Sequence, residues 1–100
     1  MDITVQELKK KLDNSEKFVF IDVREANEHQ QYSIGGNLIP LGHLMDSITG
    51  LDEHKTDEIV VYCHSGARSA MAQNILESAG FSNVRNLIGG VVAWHETFGS

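Results

Sequence analysis

One hundred residues with 41% hydrophobic and 22% charged side chains suit one compact domain and exclude a disordered or collagen-like chain. The net charge of −6 argues against a nucleic-acid partner, whose phosphates need a basic surface. It leaves room for a small anion at a locally positive site.

The first element in the chain is announced by Thr4-Val5-Gln6-Glu7, which reads as a capping box. Val5, Leu8 and Leu12 then recur at helical spacing, predicting a helix that ends near Asp13 or Asn14, with Lys9, Lys10 and Lys11 on its solvated face. The apolar, β-branched run Phe18–Val23 predicts a strand buried on both faces, as parallel sheets require. Leu38–Leu41 predicts a brief strand, which Pro40 confines to an edge or an end. Leu41, Leu44, Met45 and Ile48 fit a short helix closed by Gly50.

Ile59–Cys63 is the clearest strand. A helix follows it directly, with Ala67, Met71, Ile75 and Ala79 at i, i+4 spacing, Ala72 and Leu76 widening the stripe, and Gly80 just past its end. Val84–Ile88 predicts a last strand, Gly89-Gly90 a turn, and Val91–Phe98 a final helix carrying Trp94. Such alternation predicts an α/β fold, doubly wound, with a mainly parallel central sheet of about five short strands and helices on both faces. In such folds ligands bind beyond the carboxyl ends of the strands.

No apolar run reaches the ~20 residues of a membrane span, and Met1-Asp2-Ile3-Thr4 lacks the basic and apolar stretches of an export leader. The lone Cys63 excludes an internal disulfide. The expectation is a single domain over residues 1–100, cytoplasmic, monomeric or weakly dimeric, with no membrane or nucleic-acid partner and no cofactor.

Cys63 stands where the clearest strand gives way to its helix, at the head of the loop Cys63-His64-Ser65-Gly66-Ala67-Arg68-Ser69. A helix start offers unpaired amides, Gly66 permits the turn that aims them at one point, and Arg68 brings a permanent positive charge. All three favour a thiolate. A free cysteine is only about 3% ionised at pH 7, and lowering its pKa by about two units takes roughly 2.7 kcal/mol, within reach of a few charge-assisted hydrogen bonds. A lone cysteine at a strand end is more often a small apolar core residue. The Gly, the Arg and the helix start that follow at this spacing favour a nucleophile here. His64 is adjacent to Cys63 and projects differently, so it is read as tuning charge or touching substrate rather than as a general base. His29, His43, His54 and His95 lack metal-ligand spacing, so no metal is expected.

Taken together, these residues resemble the rhodanese-like domain family, in its single-domain form. Asp22-Val23-Arg24-Glu25 with Glu28 downstream, the loop Cys63–Ser69, Gly80–Val84 and Asn86–Trp94 are similar to the family's separated motifs, in its order. Tyr32–Pro40 departs from the family's usual stretch. The resemblance implies a sulfurtransferase, thiosulfate sulfurtransferase-like. In such an enzyme Cys63 takes a sulfane sulfur from a small anionic donor such as thiosulfate, holds it as a persulfide, and passes it to a thiol, cyanide or protein acceptor. It implies a substrate cradle of His64, Ser65, Gly66, Ala67, Arg68 and Ser69. Asp22 and Arg24 are read either as braces behind that cradle or as a purely structural salt bridge. Two rival functions stay open: a small phosphatase or arsenate reductase, and a non-catalytic regulatory module. Phosphatases of this fold place one more residue between Cys and Arg than the four seen here, which widens their cradle to fit a tetrahedral oxyanion.

Overall fold

In the computed structural model, which describes residues 1–99, the run Ile59–Tyr62 is wholly buried and forms the central strand β3. Strand β1 (Val19–Asp22) pairs with it in parallel from Val19 beside Ile59 to Asp22 beside Tyr62. Strand β4 (Val84–Asn86) lies parallel on its other side, and β2 (Asn37–Leu38) borders β1. The spatial order is β2-β1-β3-β4. About five strands were expected. Among the described residues the structure forms four, and a parallel bridge between Ile3 and Leu87 extends the β4 edge. Pro40 cannot donate to a ladder, and pairing stops two residues before it.

Alternation along the strands divides the core in two. Ile59 and Val61 face one side, where Leu44, Ala72, Leu76 and Phe81 cover them; Val60 and Tyr62 face the other, against Val5, Leu8, Val91 and Trp94. The first layer rests on α3 (Leu44–Ser47) and α4 (Ala67–Ser78), the second on α1 (Val5–Asp13) and α5 (Gly90–Phe98). Parallel strands joined through helices bury both faces of the sheet, which is why these strands read as unbroken apolar runs.

Thr4 caps α1 as its spacing predicts, its Oγ1 accepting from the Glu7 amide at 3.1 Å. Gly80 follows α4 at φ +99°, a left-handed conformation that glycine reaches without strain. Three details differ from expectation. Gly50 closes no helix: a 3-10 turn over Leu41–His43 leads into α3, and 3-10 turns over Thr49–His54 carry the chain onward through Gly50. The buried side of α4 is Ser69, Ala72 and Leu76, while Met71 is 57% exposed. A further helix, α2 (Ala26–Gln31), buries no residue, so no apolar period reveals it. It starts instead on a reciprocal cap, the Glu28 carboxylate accepting from the Glu25 amide at 3.1 Å.

Candidate active site

Cys63 follows β3 at the carboxyl end of the sheet and is 1% exposed. Gly66 turns the loop at φ +111°, a left-handed angle that a side chain would strain, and its amide donates to Cys63 Sγ at 3.1 Å. The first turn of α4 then brings the Ser69 amide to 3.4 Å from Sγ, and the Ser69 hydroxyl to the same distance. Burial pushes the thiol pKa up. The Ser69 hydroxyl, together with the amides of Ser69, Gly66 and Ser65, outweighs it, so the thiol lies below its ordinary value. The donor ring is the one expected at a helix start, and it closes on the sulfur itself.

The ring is held from behind by residues distant in sequence. Asn86, at the end of β4, accepts from the Ser69 hydroxyl through Oδ1 and donates from Nδ2 to the Gly66 carbonyl at 3.2 Å. The first amides of α5 close the loop's other carbonyls: Val91 N donates to Cys63 O, and Val92 N to His64 O, both at 3.0 Å. This contact requires Gly90, where an added Cβ would collide with the carbonyl oxygens of Cys63 and His64. Asn86 and Gly90 escaped the reading of the sequence as site residues, although both fall in a motif that carried the resemblance. Nothing in their spacing ties them to Cys63.

Arg68 has a partner that its sequence position does not disclose. Its Nη1 and Nη2 donate to the two carboxylate oxygens of Glu28 at 2.7 and 2.9 Å. That bidentate pair holds Glu28 down at about 2 and raises Arg68 above its ordinary value, with the fields of Cys63 and Glu25 contributing to the rise. No hydrogen bond joins the guanidinium to Sγ, so the expected direct support of the thiolate by Arg68 is weakened by its pairing with Glu28. His64, Ser65 and Ala67 are exposed.

Asp22 and Arg24 are buried one strand away. Arg24 donates to both Asp22 oxygens, from Nε at 3.0 Å and Nη2 at 2.9 Å, and reaches the Tyr32 carbonyl at 2.7 Å. His29 Nδ1 lies 2.8 Å from the same carboxylate. Burial pushes Asp22 up, but its bonds to Arg24 and His29 bring it below its ordinary value. Tyr62 OH donates to the Gly35 carbonyl at 2.7 Å, and burial, aided by the nearby Asp22, raises this phenol to about 12. The network ties the end of β1 to the 32–35 connection and to α2, the helix that carries Glu28. The groove elsewhere between Met45 and Ile75 holds no cysteine.

Residues 4–97 match the family model described as the rhodanese-like domain, and the chain belongs to that family. It is 37% identical over 94 residues to the Bacillus subtilis protein YrkF, a match covering 93% of this chain and 50% of that one. It is 34% identical over 93 residues to a sulfurtransferase of Allochromatium vinosum, covering 93% and 86%. The crystal structure of a rhodanese-like domain protein from Staphylococcus aureus superposes with a TM-score of 0.83 at 33% identity, covering 94% of this chain and 91% of that one. The chain spans half or less of the length of several curated relatives it matches, YrkF among them. Among the described residues, no helix is long and apolar enough to cross a membrane.

Proposed function

We propose that this domain is a sulfurtransferase that carries a sulfane sulfur as a persulfide on Cys63. The observation that carries the reading is the convergence of the Gly66 amide with the Ser69 amide and hydroxyl on one buried sulfur. Donors that favour a thiolate favour equally the single negative charge of its persulfide, so one site serves both halves of a cycle. In the first half the thiolate attacks the outer sulfur of the donor. A bond forms from Sγ to that sulfur, the donor's own S–S bond breaks, and the electron pair leaves with sulfite or a thiolate. In the second half an acceptor thiol, cyanide or protein thiol attacks the outer sulfur, and the Cys63 thiolate is restored.

No outside oxidant or reductant is needed. With Cys63 at 1% exposure, its sulfur admits a slender terminal sulfur more readily than a bulky electrophile. In this reading His64, Ser65, Gly66, Ala67, Arg68 and Ser69 form the substrate side, and Asp22 and Arg24 brace the strand beside it. A lone thiolate of this kind suits a reducing compartment such as the cytoplasm.

Relatives named sulfurtransferases support the assignment, one of them a thiosulfate sulfurtransferase of Escherichia coli. The test is intact-mass spectrometry after incubation with thiosulfate or cysteine persulfide. One added sulfur on the wild type and none on Cys63→Ser is the expected result. Hydrolysis of p-nitrophenyl phosphate faster than any sulfur transfer would overturn it.

A further inference from the structure

The charges around the loop point to the class of donor. The chain has eight Lys and Arg residues. Lys9, Lys10 and Lys11 lie on α1, and Lys17 and Lys55 precede β1 and β3, which sets Lys17 and Lys55 at the opposite end of the sheet from Cys63. Arg85 is bound to Glu7 and Glu58, and Arg24 to Asp22. Only Arg68 acts on Cys63 as a cation from the loop itself.

Glu28 occupies that guanidinium in two places, and its own Oε1 is held a second time by the Glu25 amide. A carboxylate fixed by three donors stays ionised at any working pH. With Glu25 adding its field, Arg68, Glu28 and Glu25 sum to one negative charge at neutral pH. An incoming dianion therefore meets amides sized for one charge and no net positive charge beside them.

We propose that Glu28 is a specificity-determining residue. By pairing Arg68 it turns this loop away from dianionic donors such as thiosulfate and toward persulfides of small thiols, whose transferred sulfur is bonded to an uncharged R–S group. The inference rests on the sulfur-transfer reading above. The favoured step is attack of the Cys63 thiolate on R–S–SH. The Sγ–S bond forms, the S–S bond joining that sulfur to R–S breaks, R–S⁻ leaves with the pair and takes a proton from water, and the new persulfide loses its proton to solvent.

The test follows loading of Cys63 by rapid-quench intact-mass spectrometry with thiosulfate and with cysteine persulfide. The wild type is expected to load from the persulfide at least about tenfold more efficiently, a difference of about 1.4 kcal/mol. Added salt is expected to speed thiosulfate loading, because screening relieves repulsion. Glu28→Gln is expected to narrow the donor ratio about tenfold, through a lower KM for thiosulfate rather than a higher limiting rate. Equal or faster wild-type loading from thiosulfate, or thiosulfate loading that salt slows, overturns the proposal even if the variant fails to fold. An unchanged ratio in a folded Glu28→Gln does the same. Absence of loading from either donor overturns the sulfur-transfer reading itself, and this inference with it.

Discussion

Ser69→Ala separates the two duties of one hydroxyl. Its single proton stands between Cys63 Sγ at 3.4 Å and the side chain of Asn86, with Gly66 O at 3.2 Å as a third acceptor. A hydrogen bond to a charged group contributes about 1.5–3 kcal/mol, and the length of this contact argues for the lower figure. At 1.36 kcal/mol per unit, losing about 1.5 kcal/mol raises the thiol pKa by about one unit. The Ser69 and Gly66 amides remain, so the thiol stays easier to ionise than it would be buried without donors.

The same change leaves Asn86 Oδ1 buried with no donor, which costs about 1–3 kcal/mol, offset by roughly 0.5 kcal/mol from the better helix propensity of alanine. For a domain of this size the net loss lowers Tm by about 2 to 12 °C. The assay is the pH dependence of Cys63 alkylation beside a thermal melt followed by circular dichroism. A lower Tm with an unmoved thiol pKa would refute the reasoning. The hydroxyl would then serve Asn86 alone, leaving the thiolate to the backbone amides.

Cys63→Ala is expected to abolish persulfide formation while keeping the wild-type circular dichroism spectrum, since the site is a small buried one. Arg68→Ala is expected to raise the thiol pKa by less than Ser69→Ala does, because Glu28 already offsets its charge; an equal or larger rise in the alkylation profile would contradict this. Gly90→Ala should destabilise the fold by about 3 kcal/mol or more, read as a fall in the urea midpoint, because its Cβ meets two loop carbonyls and its φ of +56° is left-handed. Glu28, Asp22 and Glu58 all bind protons less readily folded than unfolded. Their stabilisation is therefore complete above the unfolded value of 4.5 for Glu28 and is lost as pH falls toward about 2. Glu28→Gln should flatten that acid limb modestly, by about 1 kcal/mol for a partly exposed pair, in melts taken across the same range.

What could be read along the chain was whatever depends on neighbours in sequence. Ile59–Tyr62 announces a doubly covered strand because its run is unbroken, Thr4 announces a cap because Glu7 follows it, and Cys63 announces an anion cradle because Gly66 and a helix start come next. Folding alone brought Asn86 to Ser69, Gly90 under the loop carbonyls, and Glu28 onto Arg68. These pairings cross between parallel strands and the helices that join them, and no period in the chain encodes which strand ends lie side by side. The helix that carries Glu28 buries nothing, so it left no apolar signature; the partner of Arg68 became visible only once that helix lay beside the loop.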